Sequence, residues 1–230
     1  MKNKISNETK KEGCLMTKKY KAIIFDLDGV IVSTDECHYQ AWKQIADENK
    51  IYFDRDINQR LRGVSRMESL EVVLEKAKKT YTEEEKVELA KRKNSYYVEK
   101  IKKIDESSIL EGALEFINEI KNRGLKTAIG SSSKNTKLIL NKIQCMDLFD
   151  AIADGNDIEN SKPAPDVFLV AASKLGISTC DCMVVEDSDA GVEASLAAGM
   201  AVLAVGYASC NEKATYRCKS LKEVSEGLHH

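Results

Sequence analysis

Apolar positions along this chain follow two periods. Short, nearly unbroken apolar runs occur at 22–24, 125–130, 151–153, 183–185 and 201–205. Between them, apolar residues recur every three or four positions. Ala113, Leu114, Ile117 and Ile120 share one helix face; Leu138, Leu140 and Ile143 mark a second helix, and further helices are predicted over 167–175 and 190–198. Gly124, Gly176 and Gly199 stand where these helices should stop. Strands with little internal alternation, separated by amphipathic helices, are buried on both faces. They predict an α/β core, a doubly wound parallel sheet of Rossmann-like type.

The stretch from Thr34 to about Ser108 reads differently. Tyr39, Trp42, Ile45 and Ala46 fall on one helix face, and no strand pattern interrupts the residues beyond them. Ser65-Arg66-Met67-Glu68 and Thr82-Glu83-Glu84-Glu85 each fit a capping box, where a hydroxyl and a glutamate satisfy the first free backbone N–H groups reciprocally. The pattern predicts a helical-bundle cap over 34–107, inserted into a core made of 19–33 and 108–230. Residues 1–18 are polar, Lys-rich and aperiodic, and should form a disordered extension, with Met16 an alternative start. Beyond Gly206 the pattern fades. No strand is expected over 210–218, and only 221–224 hints at a short helix.

Composition narrows the class. Of 230 residues, 43% are hydrophobic and 31% charged, as in an ordinary globular protein. The net charge of −2, with signs interspersed, offers no basic stripe for nucleic acid and no polybasic membrane patch. No apolar run approaches a membrane span, so a cytoplasmic monomer acting on small molecules is expected. The seven cysteines are scattered, which argues against a disulfide framework, and Cys180-x-Cys182 lacks the partners a zinc site needs. His229-His230 reads as a tag remnant.

Chemistry enters at the strand ends. Asp26 and Asp28 follow the first apolar run, and Gly29 permits a turn there. Two close carboxylates suit one as nucleophile and the other as general acid/base, beside a hard divalent ion. Ser131 follows the second run and can donate to transferring phosphoryl oxygens. Lys162, in Ser161-Lys162-Pro163-Ala164-Pro165-Asp166, supplies a compensating cation. Glu186 and Asp187 follow the fourth run as hard oxygen ligands. With Asp26 they suit Mg²⁺.

In this order the four motifs are identified as the pattern of the haloacid dehalogenase superfamily. Within it, residues 21–206 resemble the β-phosphoglucomutase family. The resemblance rests on Phe25-Asp-Leu-Asp-Gly-Val30, His38 with Trp42, Gly63-Val64-Ser65-Arg66, Leu89-Ala-Lys-Arg-Lys-Asn94, Ser133-Lys134-Asn135, Phe149-Asp-Ala-Ile-Ala-Asp154 and Ser161-Lys-Pro-Ala-Pro-Asp166. It implies interconversion of β-glucose 1-phosphate and glucose 6-phosphate through a bisphosphate. It further implies Asp26 as nucleophile, Asp28 as acid/base, and Mg²⁺ on Asp26, the Asp28 carbonyl, Glu186 and Asp187. Arg66, Ser133, Lys134 and Asn135 would hold the non-transferring phosphate, and Gly63, Val64, His38 and Lys93 would face the sugar. Ser65 and Ser132 belong to the same substrate-binding set. Trp42 is placed with them too, plain bundle packing being its other reading, and Lys93 could equally be solvated beside Lys91 and Arg92.

A bisphosphate that must turn over needs a second phosphate pocket, and the planar fork of Arg66 suits it. One departure stands out: Val32-Ser33-Thr34 replaces the family's usual Thr-Asp-Thr before the cap. A sugar-phosphate phosphatase of the same fold is the nearest alternative, and a non-catalytic sugar-phosphate-binding regulator a more distant one.

Overall fold

A computed structural model describes residues 20–228. The expectations for residues 1–18 and for His229-His230 lie outside the described residues. The chain enters through β1 (Ala22–Phe25). It then makes four helices: α1 (Asp35–Glu48), α2 (Arg55–Gln59), α3 (Arg66–Leu74) and α4 (Glu83–Ile101). Alternation follows with α5 (Ala113–Asn122), β2 (Lys126–Gly130), α6 (Thr136–Lys142), β3 (Ala151–Ala153) and α7 (Asp166–Leu175). The chain ends with β4 (Cys182–Glu186), α8 (Asp189–Ala197), β5 (Ala201–Ala204), β6 (Tyr216–Arg217) and α9 (Leu221–Leu228).

All six strands join one parallel sheet in the order β3-β2-β1-β4-β5-β6. The order reverses at β1, the position where open α/β sheets form their ligand crevice. Strand alternation divides the core into two layers. Ile23 and Phe25 pack with Phe116, Ile117 and Ile120 of α5. Ala22 and Ile24 pack with Phe168 of α7 and Val192 of α8 on the other face. A third cluster, holding Trp42, Ile45, Leu70, Val73 and Leu89, joins α1, α3 and α4. The far end of α4 leaves that cluster, and Tyr97 and Ile101 pack into the first layer. That contact seats the helical segment on the sheet.

Both capping boxes form, with Ser65 and Glu68 on α3 and Thr82 and Glu85 on α4. The sequence pattern misses β6. Tyr216 and Arg217 carry no apolar run, and their strand exists because Leu203 and Ala204 pair with them. Cys218 N–H to the Ala204 carbonyl, at 3.0 Å, continues the attachment. The last helix is also longer than the four residues its pattern suggests. Among the described residues, no helix is long and apolar enough to cross a membrane.

Candidate active site

The carboxyl ends of β1, β2 and β4 lie side by side and deliver Asp26, Ser131 and Asp187 to one edge of the sheet. Lys162 reaches the same place from the loop before α7. Its Nζ donates to Asp26 Oδ1 at 2.5 Å and to Glu186 Oε2 at 2.8 Å. The other Glu186 oxygen accepts from the Asp187 and Ser188 N–H groups, each at 3.1 Å, and from Ser188 Oγ at 2.9 Å. Gly29 has φ +85°, and a Cβ there would lie 2.0 Å from Asp187 Oδ2. Only glycine lets the turn after β1 come so close.

Asp26, Glu186 and Asp187 are all buried, with ligand oxygens within 4.8 Å of one another. Three carboxylates therefore face one ammonium. Burial pushes Asp26 up to about 7, with Lys162 opposing and Glu186 adding to the rise. Burial, then Glu186 and Asp26, push Asp187 up to about 9. Burial alone would lower Lys162, but Asp26 and Glu186 outweigh it and keep the ammonium protonated. An excess of buried, hard oxygen donors with no sulfur or imidazole among them fits a divalent cation of the Mg²⁺ type.

Asp28 turns away from that cluster. Its Oδ1 accepts from the Thr34 hydroxyl and, at 3.2 Å, from the Thr34 N–H. The Thr34 hydroxyl also meets Tyr97 Oη at 3.0 Å. Burial raises Asp28 to about 6; the Thr34 hydrogen bond opposes the rise and Asp35 adds to it. His38 Nε2 lies 4.0 Å from Asp28 Oδ2, while its Nδ1 is 2.8 Å from Lys93 Nζ. Burial, then Lys93 and Arg66, hold His38 well below its usual range.

Lys93 is not solvated, as one reading of the sequence allowed. It is 2% exposed and lies between the Trp42 and Tyr97 rings, 4.9 and 4.7 Å from their centroids. Burial, then Arg66, lower its pKa to about 7. Trp42 fills the core of the helical segment and also lines the cleft.

The part of the cleft around Arg66 has a different character. Arg66, the first residue of α3, donates from Nη2 to Asn94 Oδ1 at 2.8 Å. The same oxygen accepts from Asn135 Nδ2 at 3.0 Å, so a residue of α4 is bridged to one preceding α6. No carboxylate pairs with Arg66 among the described residues; its hydrogen bond goes to a neutral amide. Nearby, Ser131 Oγ accepts from the Ser133 N–H, and Ser133 Oγ from the Asn135 N–H, both at 3.2 Å. Ser132 Oγ is buried and has no hydrogen-bond partner among the described residues. The cleft enclosing both parts measures about 990 Å³. Every candidate site residue lines it except Glu186, whose carboxylate acts on it through Lys162. Lys134 and the Gly63-Val64-Ser65 segment form parts of its wall.

The haloacid dehalogenase-like hydrolase family model matches residues 23–205, from β1 to the end of β5. The chain belongs to that family. The β-phosphoglucomutase of Bacillus subtilis is 45% identical over 188 residues, which is 81% of this chain and 83% of the relative. Fructose-1-phosphate phosphatase YqaB of Escherichia coli is 27% identical, over 80% of this chain and 96% of its own. The crystal structure of β-phosphoglucomutase from Clostridium difficile has a TM-score of 0.84 at 37% identity, covering 91% of this chain and 97% of that one.

In this haloacid dehalogenase-like hydrolase, sequence reasoning passed over four residues of the cleft and its support: Thr34, Arg62, Asn94 and Tyr97. Tyr97 had a signal, since Leu89, Lys93 and Tyr97 stand four apart and must share a face of α4. Asn94 lies inside the motif that ends Leu89-Ala-Lys-Arg-Lys-Asn94. Thr34 stands in Val32-Ser33-Thr34, six residues after Asp28, whose carboxylate it meets. Arg62 had no signal, because its partners come from other segments.

Proposed function

We propose that the chain is a β-phosphoglucomutase. It interconverts β-D-glucose 1-phosphate and glucose 6-phosphate through β-glucose 1,6-bisphosphate, with Asp26 carrying the phosphoryl group between them. The observation that carries the reading is Arg66, a half-buried guanidinium on the wall of the cleft that Asp26 also lines, whose partner among the described residues is a neutral amide. Such a group suits a second phosphate. The 45% identical relative supports the same reading.

The cycle starts with the phosphoryl group on Asp26. Asp28 takes the proton from the sugar 6-hydroxyl, the oxygen bonds to phosphorus, and the bond from phosphorus to the Asp26 oxygen breaks. After the bisphosphate turns over, the Asp26 carboxylate attacks the phosphorus on O1. The P–O1 bond breaks, and Asp28 returns its proton to O1. A group that donates and accepts in turn works best with a pKa near the working pH, which partial burial of Asp28 favours by raising its pKa to about 6. The Ser131 hydroxyl and Lys162 balance charge on the transferring oxygens. Asp26, Glu186 and Asp187, with the Asp28 carbonyl, would hold Mg²⁺, which supplies further charge neutralisation there.

The test is to supply β-glucose 1-phosphate with a trace of the bisphosphate and follow glucose 6-phosphate by a coupled dehydrogenase. Accumulation of glucose 6-phosphate is expected. Free glucose and inorganic phosphate in its place would make the chain a phosphatase.

A further inference from the structure

Arg62 stands outside the catalytic cycle, yet it is held from three directions. It lies in the loop between α2 and α3, and its side chain is 17% exposed. Nη2 pairs with Asp35, the first residue of α1. Nη1 is 3.7 Å from Asp187 Oδ2, just past β4. The guanidinium carbon sits 3.6 Å from the centroid of the Tyr207 ring, in the turn Gly206–Cys210 after β5. The buried Nε–H finds no acceptor among the described residues, so ionic and face contacts hold this group in place of complete hydrogen bonding. The next residue shows how close the loop comes. A Cβ on Gly63 would lie 2.4 Å from Ser188 Oγ, at the start of α8.

Asp35 belongs with Arg62 to the helical segment; Tyr207 and Asp187 belong to the sheet side. If the two parts separate, the Arg62–Asp35 pair travels intact and the Arg62–Tyr207 stack must break. The strength of that stack therefore enters the open–closed equilibrium directly. An arginine suits this seat because its weakly hydrated planar group stacks on an aromatic face.

We propose that Tyr207 is a positioning residue for phosphoryl transfer: its ring seats Arg62, and the pair latches the 60–65 loop shut over the cleft. Tyr207 is 66% exposed and does not line the cleft, so it acts on the reaction only through Arg62. The kinetic consequence rests on the mutase reading, in which a closed cleft keeps water from the phosphorylated Asp26 and favours the sugar hydroxyl.

Tyr207→Ala removes the seat, and Tyr207→Phe keeps the ring face. Hydrogen exchange at the 60–65 amides of the full chain with Mg²⁺ should be about two- to fivefold faster in the alanine variant, the size of an exposed cation–π contact. The fraction of phosphoryl groups lost to water should rise by a similar factor. The phenylalanine variant should match the wild type in both. Unchanged exchange in Tyr207→Ala, or a phenylalanine variant as impaired as the alanine one, would overturn the latch. If the wild type hydrolyses without isomerising, the mutase reading fails, while the exchange comparison still decides the latch.

Discussion

Replacing Arg66 with alanine separates the two parts of the cleft. Among the described residues the side chain makes one hydrogen bond, to Asn94 Oδ1, and that oxygen keeps its second donor, Asn135 Nδ2, when Arg66 is gone. The fold should therefore lose little. A dianionic phosphate would lose a charge-assisted contact, which contributes about 1.5–3 kcal/mol. At about 1.4 kcal/mol per decade, this corresponds to roughly a 10- to 100-fold fall in kcat/KM for isomerisation. A small aryl phosphate has no second phosphate to lose, and its hydrolysis should stay within about twofold. Arg66→Lys keeps the charge without the planar fork and should fall between. The assay compares glucose 6-phosphate formation with p-nitrophenol release on the same preparations. Equal loss in both reactions would refute the assignment of Arg66 to a second phosphate and move the phosphatase reading ahead.

Asp26→Asn should abolish turnover and the acid-stable, base-labile phosphoenzyme without unfolding the chain; substantial residual isomerisation would remove Asp26 as nucleophile. Mg²⁺ should raise the melting temperature of the wild type in proportion to the logarithm of its concentration, and the rise should vanish in Asp187→Asn; an undiminished shift would place the ion elsewhere. Lys93 gives a pH signature, because its folded pKa of about 7 lies below its ordinary 10.5. Between those values the unfolded chain binds the extra proton, so wild-type stability should climb relative to Lys93→Met as pH rises, by up to about 1.4 kcal/mol per pH unit. Urea unfolding of both proteins at pH 7 and pH 9 checks this, and a wild-type stability that falls relative to Lys93→Met as pH rises would contradict the burial of the ammonium.

What could be read in the sequence divides along a physical line. Parallel strands covered on both faces must be apolar throughout, so 22–25 and 182–186 announce themselves, and the site residues that follow them inherit their placement. Lys162 was legible through the motif around it. β6 was not, since Tyr216 and Arg217 become a strand through pairing with β5 and not through any pattern of their own. α2, at five residues, is too short to display a period, although Asp54 caps it from the Ile57 N–H at 2.9 Å. Lys93 follows two other basic residues, which suggests a solvated face; the row Leu89, Lys93 and Tyr97 argues the opposite and is what the fold obeys. Contacts between distant segments, such as Thr34 with Tyr97 or Arg62 with Tyr207, leave no local trace at all.

Lys162 and Arg66, two of the cations lining the cleft, are not equivalent, and the difference bears on why it would close. Lys162 is already bonded to two carboxylates, so its charge is committed to the floor of the site. Arg66 carries the cost of partial burial with no counterion among the described residues, a cost that an arriving anion would offset. Its neighbours there come from both sides of the cleft: Arg66 and Asn94 from α3 and α4, Asn135 and Ser133 from the loop after β2. A phosphate bound among them would tie the helical segment to the sheet. Closure would then depend on a substrate that carries its second phosphate, and water would be excluded when a sugar hydroxyl is present to take its place. A bisphosphate, anchored at both ends in either orientation, would hold the cleft shut most firmly. Its reorientation would require the Arg62–Tyr207 stack to open, so the strength of that stack should set a compromise between excluding water and letting the intermediate turn.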